Sequence, residues 1–184
     1  KNGSNIFKNR QDEHSKVAES FIAGVLEKVP EITLFLNPIA NSYERFGEFE
    51  APKYVSWSHQ NRSQLIRIPA AIGEKVRMEL RSPDPTANPY LAYALIIGAG
   101  LEGIEKGLKL PPAVDMDLYR IDESIAKELR VLPNNLEKAI ELAENSRFVK
   151  SVIGEEMARK YIEIKKEEAL LFAEANDKDN FYKE

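Results

Sequence analysis

From position 17 onward apolar residues return every three or four places: Val17, Ala18, Phe21, Ile22, Val25, Leu26 and Val29. That spacing lays them along one side of a helix over 15–29 and gives it one buried face. Ser15 stands where an N-cap oxygen is needed, and Pro30 supplies the stop. The pattern then breaks. Residues 37–52 mix proline, glycine and carboxylates with Tyr43, Phe46 and Phe49. A loop of that length inside a compact domain is usually functional, and its aromatic content predicts that it is ordered. Short apolar runs at 53–58 (Tyr54, Val55, Trp57) and 65–68 predict strands, and 75–81 predicts a third. Period two sends Val76, Met78 and Leu80 to one face of that strand and Arg77, Glu79 and Arg81 to the other. Ser82-Pro83-Asp84-Pro85 breaks it.

Asn88 is placed to cap the next helix, with Pro89 at its first position. Residues 89–101 carry no charge and are too few to span a bilayer, which predicts a fully buried core helix. Ala94, Gly98 and Leu101 share one side of it, where small residues allow close approach. After Leu108 and a Leu110-Pro111-Pro112 linker the chain turns polar and helical, over 122–129, 135–145 and 154–175. Asn134 and Glu137 are spaced as a capping box. Met157, Tyr161, Ile164, Glu168 and Leu171 are the inward candidates of the last helix. The fold class expected is α+β: antiparallel strands around Tyr54, Ile66 and Met78, backed by the Asn88 helix, then a helical region. The expected division is 1–108 for the strand-bearing core and 109–184 for the helices.

Composition adds exclusions. A formal charge of -4 with no dominant basic stripe argues against a general nucleic-acid binder. The absence of cysteine excludes disulfides and thiolate metal sites, and fits a reducing compartment. The opening Lys1-Asn2-Gly3-Ser4-Asn5 has turn composition, without a targeting signal, and suggests a piece cut from something longer.

The candidate chemistry sits at Arg77, Glu79 and Arg81, with Arg62 and Arg67 upstream. A carboxylate between guanidiniums can hold phosphate and a metal ion, because the planar fork matches phosphate oxygens bidentately. The alternative is a solvated salt-bridge ladder on a half-buried strand.

The strings Asn41-Ser42-Tyr43-Glu44-Arg45, Glu50-Ala51-Pro52, Asn61-Arg62-Ser63, Ile66-Arg67-Ile68-Pro69, Glu79-Leu80-Arg81-Ser82-Pro83-Asp84-Pro85 and Asn88-Pro89-Tyr90-Leu91 follow one another at compatible spacing. Together they resemble the C-terminal part of the catalytic domain of a type I glutamine synthetase. The resemblance implies a cytoplasmic ATP-dependent glutamate–ammonia ligase working through γ-glutamyl phosphate. It implies ATP and Mg2+ or Mn2+, with Glu79 as a metal ligand and Arg77 near the nucleotide phosphates. Arg62 and Arg67 would face the transferred phosphate, Arg45 and Arg81 would hold glutamate, and Glu50 would take a proton from ammonium. It also implies a homo-oligomer of stacked rings, with active sites shared between subunits. No nucleic acid or membrane partner is implied.

The family's other metal ligands and its N-terminal domain would precede Lys1, so this chain alone is expected to be inactive. The run Arg45-Phe46-Gly47-Glu48-Phe49-Glu50 is one residue shorter than in many relatives and carries an extra carboxylate. That leaves open a γ-glutamyl ligase for another amine, and beside it a non-catalytic assembly module. Tyr119 falls near a tyrosine adenylylated in some members, and is expected to be buried or interfacial instead. His59 is placed near the nucleotide side, and His14 at the surface of the first helix.

Overall fold

The computed structural model describes residues 3–9, 14–48, 51–178 and 180–183. Helix α1 (Lys16–Leu36) begins as the sequence predicts, with Ser15 Oγ accepting from the Ala18 N–H at 3.2 Å. It does not stop at Pro30. A proline inside a helix forfeits the hydrogen bond to the carbonyl four residues back and crowds it, at about 3 kcal/mol. The carbonyl at issue is that of Leu26, and the Arg130 guanidinium donates to it from the far end of the chain. The turns beyond the proline bury Ile32, Leu34, Phe35 and Leu36 completely. Each such side chain contributes about 1.5–3 kcal/mol, so burial outweighs the local penalty.

Arg130 is itself partly desolvated, which pulls its guanidinium below its ordinary value, against the opposing pull of Glu27 and Glu31. Arg130→Ala should therefore destabilise the protein by ~1–3 kcal/mol, the effect of orphaning a buried acceptor. In a Pro30→Ala background the new N–H can serve Leu26, and the same substitution should be nearly silent. Equal losses in both backgrounds, measured by urea unfolding, would show that Arg130 acts through something else.

The sheet is small: β1 (Trp57–His59), β2 (Ile66–Ile68) and β3 (Glu79–Leu80), in that order. β2 and β3 are antiparallel, as expected, with Ile66 opposite Leu80 and Arg67 opposite Glu79. β1 and β2 are parallel, contrary to expectation, with Trp57, Ser58 and His59 opposite Ile66, Arg67 and Ile68. Parallel neighbours usually need a long crossover. These strands rise only ~10 Å, a span that the residues of 60–65 can retrace. The turn uses Gln60 in the left-handed region (φ 59°) and an Asn61 side chain that accepts from the Ser63 amide and hydroxyl, both at 2.9 Å. The expected strand over 75–81 shrinks to β3, since Gly73–Lys75 forms a 3-10 turn instead. Tyr54 makes an isolated antiparallel bridge to Val131 rather than joining the sheet.

Helix α2 (Pro89–Glu105) is capped by Asn88 Oδ1, which accepts from the amides of Tyr90 and Leu91 at 3.0 and 3.4 Å. It crosses α1 at very short range through Gly24, Ala99 and Gly103, while Gly100 lies against the Phe21 ring. The reading of α2 as fully buried is corrected. Tyr90 and Tyr93 are 84% and 65% exposed, and Ile97 and Leu101 are half exposed. Its uncharged composition serves an apolar outer face as well as a packed inner one.

The helical region contains α3 (Glu123–Ala126), α4 (Leu136–Asn145), α5 (Arg147–Ile153) and α6 (Glu155–Glu174). Asn135, not Asn134, caps α4 by accepting from the Lys138 amide at 2.8 Å. α5 lies within a stretch that carried no predicted helix; Ser146 starts it and Gly154, at φ 85°, ends it. The inward face of α6 is Ala158, Ile162 and Ala169, while Met157, Ile164 and Leu171 point outward. Tyr161 is half buried, stacked on Phe35 at 4.7 Å. α4 and α5 pack directly on α1, α6 packs on both, and one apolar core runs from α1 through the sheet to these helices.

Candidate active site

The β2–β3 register sets Arg67 directly opposite Glu79, and the two side chains meet. Arg67 Nη1 donates to Glu79 Oε2 at 2.7 Å, while Arg77 donates to Oε1 through Nη2 at 2.7 Å and Nε at 3.0 Å. The carboxylate thus lies between two guanidiniums, but Arg67 from the neighbouring strand takes the place that spacing gave to Arg81. Arg67 also carries a buried Nε with no hydrogen-bond partner among the described residues. A buried donor left unmade is disfavoured by ~1–3 kcal/mol, so this one has an unmet need for an acceptor. Arg81 follows immediately, its amide bonded to the Leu65 carbonyl at 2.9 Å and its side chain half buried.

Arg62 is exposed on the β1–β2 turn. That turn is fixed from outside, because Asn61 Nδ2 and Gln64 Nε2 both donate to the Met116 carbonyl, at 2.8 and 3.0 Å. The turn is an anchored platform, and Arg62 stands on it facing solvent.

Arg45 builds a second cluster. Its Nη2 donates to Asn37 Oδ1 at 2.7 Å and to the Ser82 carbonyl, one residue from Arg81. Burial lowers the Arg45 guanidinium from its ordinary value, and the nearby Asp84 charge works against that. Arg45 Nε, Asn37 Nδ2, Asn41 Oδ1 and Ser82 Oγ are buried and lack partners among the described residues. Both donors and acceptors are therefore unsatisfied around one guanidinium. Asn41, Ser42, Arg45 and Asp84 line a hollow of about 300 Å³ at this place. The structure thus joins Arg67, Glu79 and Arg77 into one group and ties Arg45 to the backbone beside Arg81. Nothing in the sequence pattern marked Asn37 or Ser82; their roles come from where α1 and β3 end.

Glu50 lies outside the described residues. On either side of it the backbone is held by a Phe46–Ala51 bridge, with the Gly47 amide on the Ala51 carbonyl at 2.7 Å. A hard divalent cation takes oxygen ligands. Glu79 has about four acceptor positions and uses them for the Arg67 and Arg77 bonds described above, which leaves one on Oε2. It fits such an ion as a single monodentate ligand. Among the described residues no group of three or more His, Cys, Asp or Glu converges to complete the set.

His14 is more than a surface residue at a helix start. Its ring lies 5.4 Å from that of His59 and 5.9 Å from Trp57, and both imidazoles line a hollow of about 450 Å³ with Ile68, Pro69 and Ala70. A larger hollow, about 720 Å³, opens between Tyr43, Phe46 and Tyr54 and the start of α4. None of the site arginines lines it. Tyr119, expected to be buried or interfacial, is 41% exposed. No helix is long and apolar enough to cross a membrane among the described residues.

The family described as glutamine synthetase, catalytic domain, matches residues 1–183. A glutamine synthetase of Halobacterium salinarum is 42% identical over 171 residues, covering 90% of this chain and 38% of the relative. One of Pyrococcus abyssi is 42% identical over 171 residues, covering 91% and 38%. Among solved structures, a GmaS–ADP complex superposes with a TM-score of 0.83 at 28% identity, over 97% of this chain and 42% of that one. Ligand-free GmaS gives 0.82 at 30% identity, over 98% and 41%. The chain spans well under half the length of each of these proteins.

Proposed function

Because this chain belongs to the glutamine synthetase catalytic-domain family, we propose that it is the C-terminal part of the catalytic domain of a type I glutamine synthetase, a cytoplasmic ATP-dependent glutamate–ammonia ligase. The observation that carries this reading is a pair of half-buried arginines whose buried Nε donors lack partners among the described residues, Arg67 beside Glu79 and Arg45 beside Ser82. The two guanidiniums would take two anionic ligands, one at the β2–β3 pair and one past the end of β3.

In the first step a glutamate side-chain oxygen bonds to the γ-phosphorus of ATP, and the bond to the bridging oxygen breaks to release ADP. In the second, ammonia bonds to the acyl carbon, the carbon–oxygen bond to phosphate breaks, and a proton leaves the nitrogen. Both steps move negative charge between oxygens, so fixed positive charge accounts for most of the protein's part. Arg62 and Arg67 meet the transferring phosphoryl group, and Arg77 meets the nucleotide phosphates. Arg45 and Arg81 hold glutamate. The mixed donors and acceptors around Arg45 suit an amino acid, which carries both a carboxylate and an ammonium group. Glu50 takes the ammonium proton. Glu79 offers Mg2+ or Mn2+ its remaining lone pair, and the ion would neutralise phosphate charge. The exposed apolar faces of α2 and α6 support a homo-oligomer of stacked rings in which other surfaces cover them.

The test is ADP release by the intact protein. It should require glutamate and ammonia together, and Glu79→Gln should sharply lower turnover at saturating metal. ATP turnover indifferent to glutamate would end the reading. Methylamine outrunning ammonia would move the enzyme to the ligases of other amines.

A further inference from the structure

The segment after α6 turns back toward the loop that carries Arg45. Phe181 and Tyr182 pack on Phe172 of α6, with the Tyr182 ring 4.9 Å from Phe181 and 6.0 Å from Phe172. From there the Tyr182 hydroxyl reaches two partners. It accepts from the backbone N–H of Ala40 at 2.8 Å and donates to Glu168 Oε1 at 2.8 Å. Glu168 is held in turn by Lys165, at 2.5 Å.

Ala40 opens the 3-10 turn Ala40–Ser42, whose preceding residue Ile39 offers no side-chain cap oxygen of its own. The first amide of such a turn has no partner within it, and the phenol from the other end of the chain supplies one. The turn's last residue is fixed too, since Ser42 Oγ donates to Asp84. Asp84 is itself anchored, its amide on the Leu36 carbonyl at 3.0 Å. Arg45 stands just past this doubly pinned turn, separated from it by the buried Tyr43 and by Glu44.

We propose that Tyr182 is a positioning residue for Arg45: its hydroxyl fixes the turn that aims this guanidinium at the substrate, and couples the α6 region to the site. This rests on Arg45 binding glutamate, as proposed above. Burial and the Glu168 charge both keep the Tyr182 phenol protonated well above its ordinary range, so the clamp holds across the physiological pH range.

The experiment uses Tyr182→Phe, which keeps the ring and its aromatic contacts and removes only the hydroxyl. In the intact protein, hydrogen exchange at the amides of 40–45 should accelerate about fivefold, the factor for one net hydrogen bond. KM for glutamate should rise by a similar factor, while KM for ATP and kcat stay near wild type. Glu168→Gln retains an acceptor for the phenol and should stay near wild type, whereas Glu168→Leu should copy Tyr182→Phe. Unchanged exchange at Ala40, or glutamate and ATP constants rising together, overturns the proposal. If the wild-type protein shows no dependence on glutamate, the functional reading fails, and exchange at 40–45 still decides whether the clamp exists.

Discussion

Gly24→Ala should destabilise this protein by ~2–4 kcal/mol, or lower its Tm by roughly 5–15 °C. A Cβ at Gly24 would lie 2.2 Å from the Ala99 carbonyl oxygen and 2.8 Å from the Gly103 Cα. Both obstacles are backbone, so relief requires α1 and α2 to separate along their whole contact. Alanine ordinarily gains about 1 kcal/mol over glycine inside a helix, and here that gain is overwhelmed. Gly103→Ala should behave alike, since its Cβ would meet the Ser20 carbonyl oxygen at 2.2 Å. Gly98 is the control. Its Cβ would meet side-chain atoms rather than backbone, Val152 Cγ2 at 3.0 Å, Val152 Cγ1 at 3.4 Å and the Phe148 ring at 3.6 Å, so relief needs a side-chain shift of a few tenths of an ångström. Gly98→Ala should remain within ~1 kcal/mol of wild type. Thermal and urea unfolding of the three variants decides it, and a Gly24→Ala protein as stable as Gly98→Ala would mean the helices do not cross where described.

The other large effect belongs to Arg67. Arg67→Ala in the intact protein should lower kcat by roughly thirty- to several-hundred-fold with little change in KM for glutamate. Charge on the transferring phosphoryl peaks in the transition state, whereas the charge on glutamate is constant, so Arg81→Ala should act mainly on KM. Arg62→Ala should resemble Arg67→Ala. Lysine should not rescue position 67. The guanidinium holds Glu79 with Nη1 while its buried Nε has no partner among the described residues, two directions that a single ammonium cannot serve together. Steady-state kinetics with glutamate and ATP varied separately is the measurement. Equal effects on both parameters at all three arginines would point to a folding defect rather than these roles.

What could be read from the sequence divides along the distance over which each interaction acts. The caps at Ser15 and Asn88 are local hydrogen bonds, and both are where the sequence puts them. Pro30 as a helix stop is equally local reasoning, and it failed because the compensating donor comes from Arg130. Period two sorted Arg77 and Glu79 onto one face, and they do meet. It says nothing about which strand lies alongside, and so missed both Arg67 as the second partner of Glu79 and the parallel pairing of β1 with β2. Apolar composition marked α2 as hydrophobic without saying what covers it, which is why its outer tyrosines were misplaced. The motif strings singled out Arg45, Arg62, Arg67 and Arg81 as candidates. The polar cage of Asn37, Asn41 and Ser82 around Arg45 was not legible in them, because it forms where the ends of α1 and β3 meet the Ala40–Ser42 turn.

The bond between Ala40 and Tyr182 also sets an order of events in time. It joins residues 142 positions apart, a closure that nothing between them can make in advance. At a synthesis rate of about 5–20 residues per second, roughly 7–28 s pass between the making of the Ala40–Ser42 turn and the making of its anchor. During that interval α1, the sheet and α2 can already assemble, since their contacts are nearer in sequence. The Ala40–Ser42 turn then gains this anchor late, and a ribosome-stalled chain ending before Tyr182 should show 40–45 exchanging about fivefold faster than in the full chain while 16–36 is already protected.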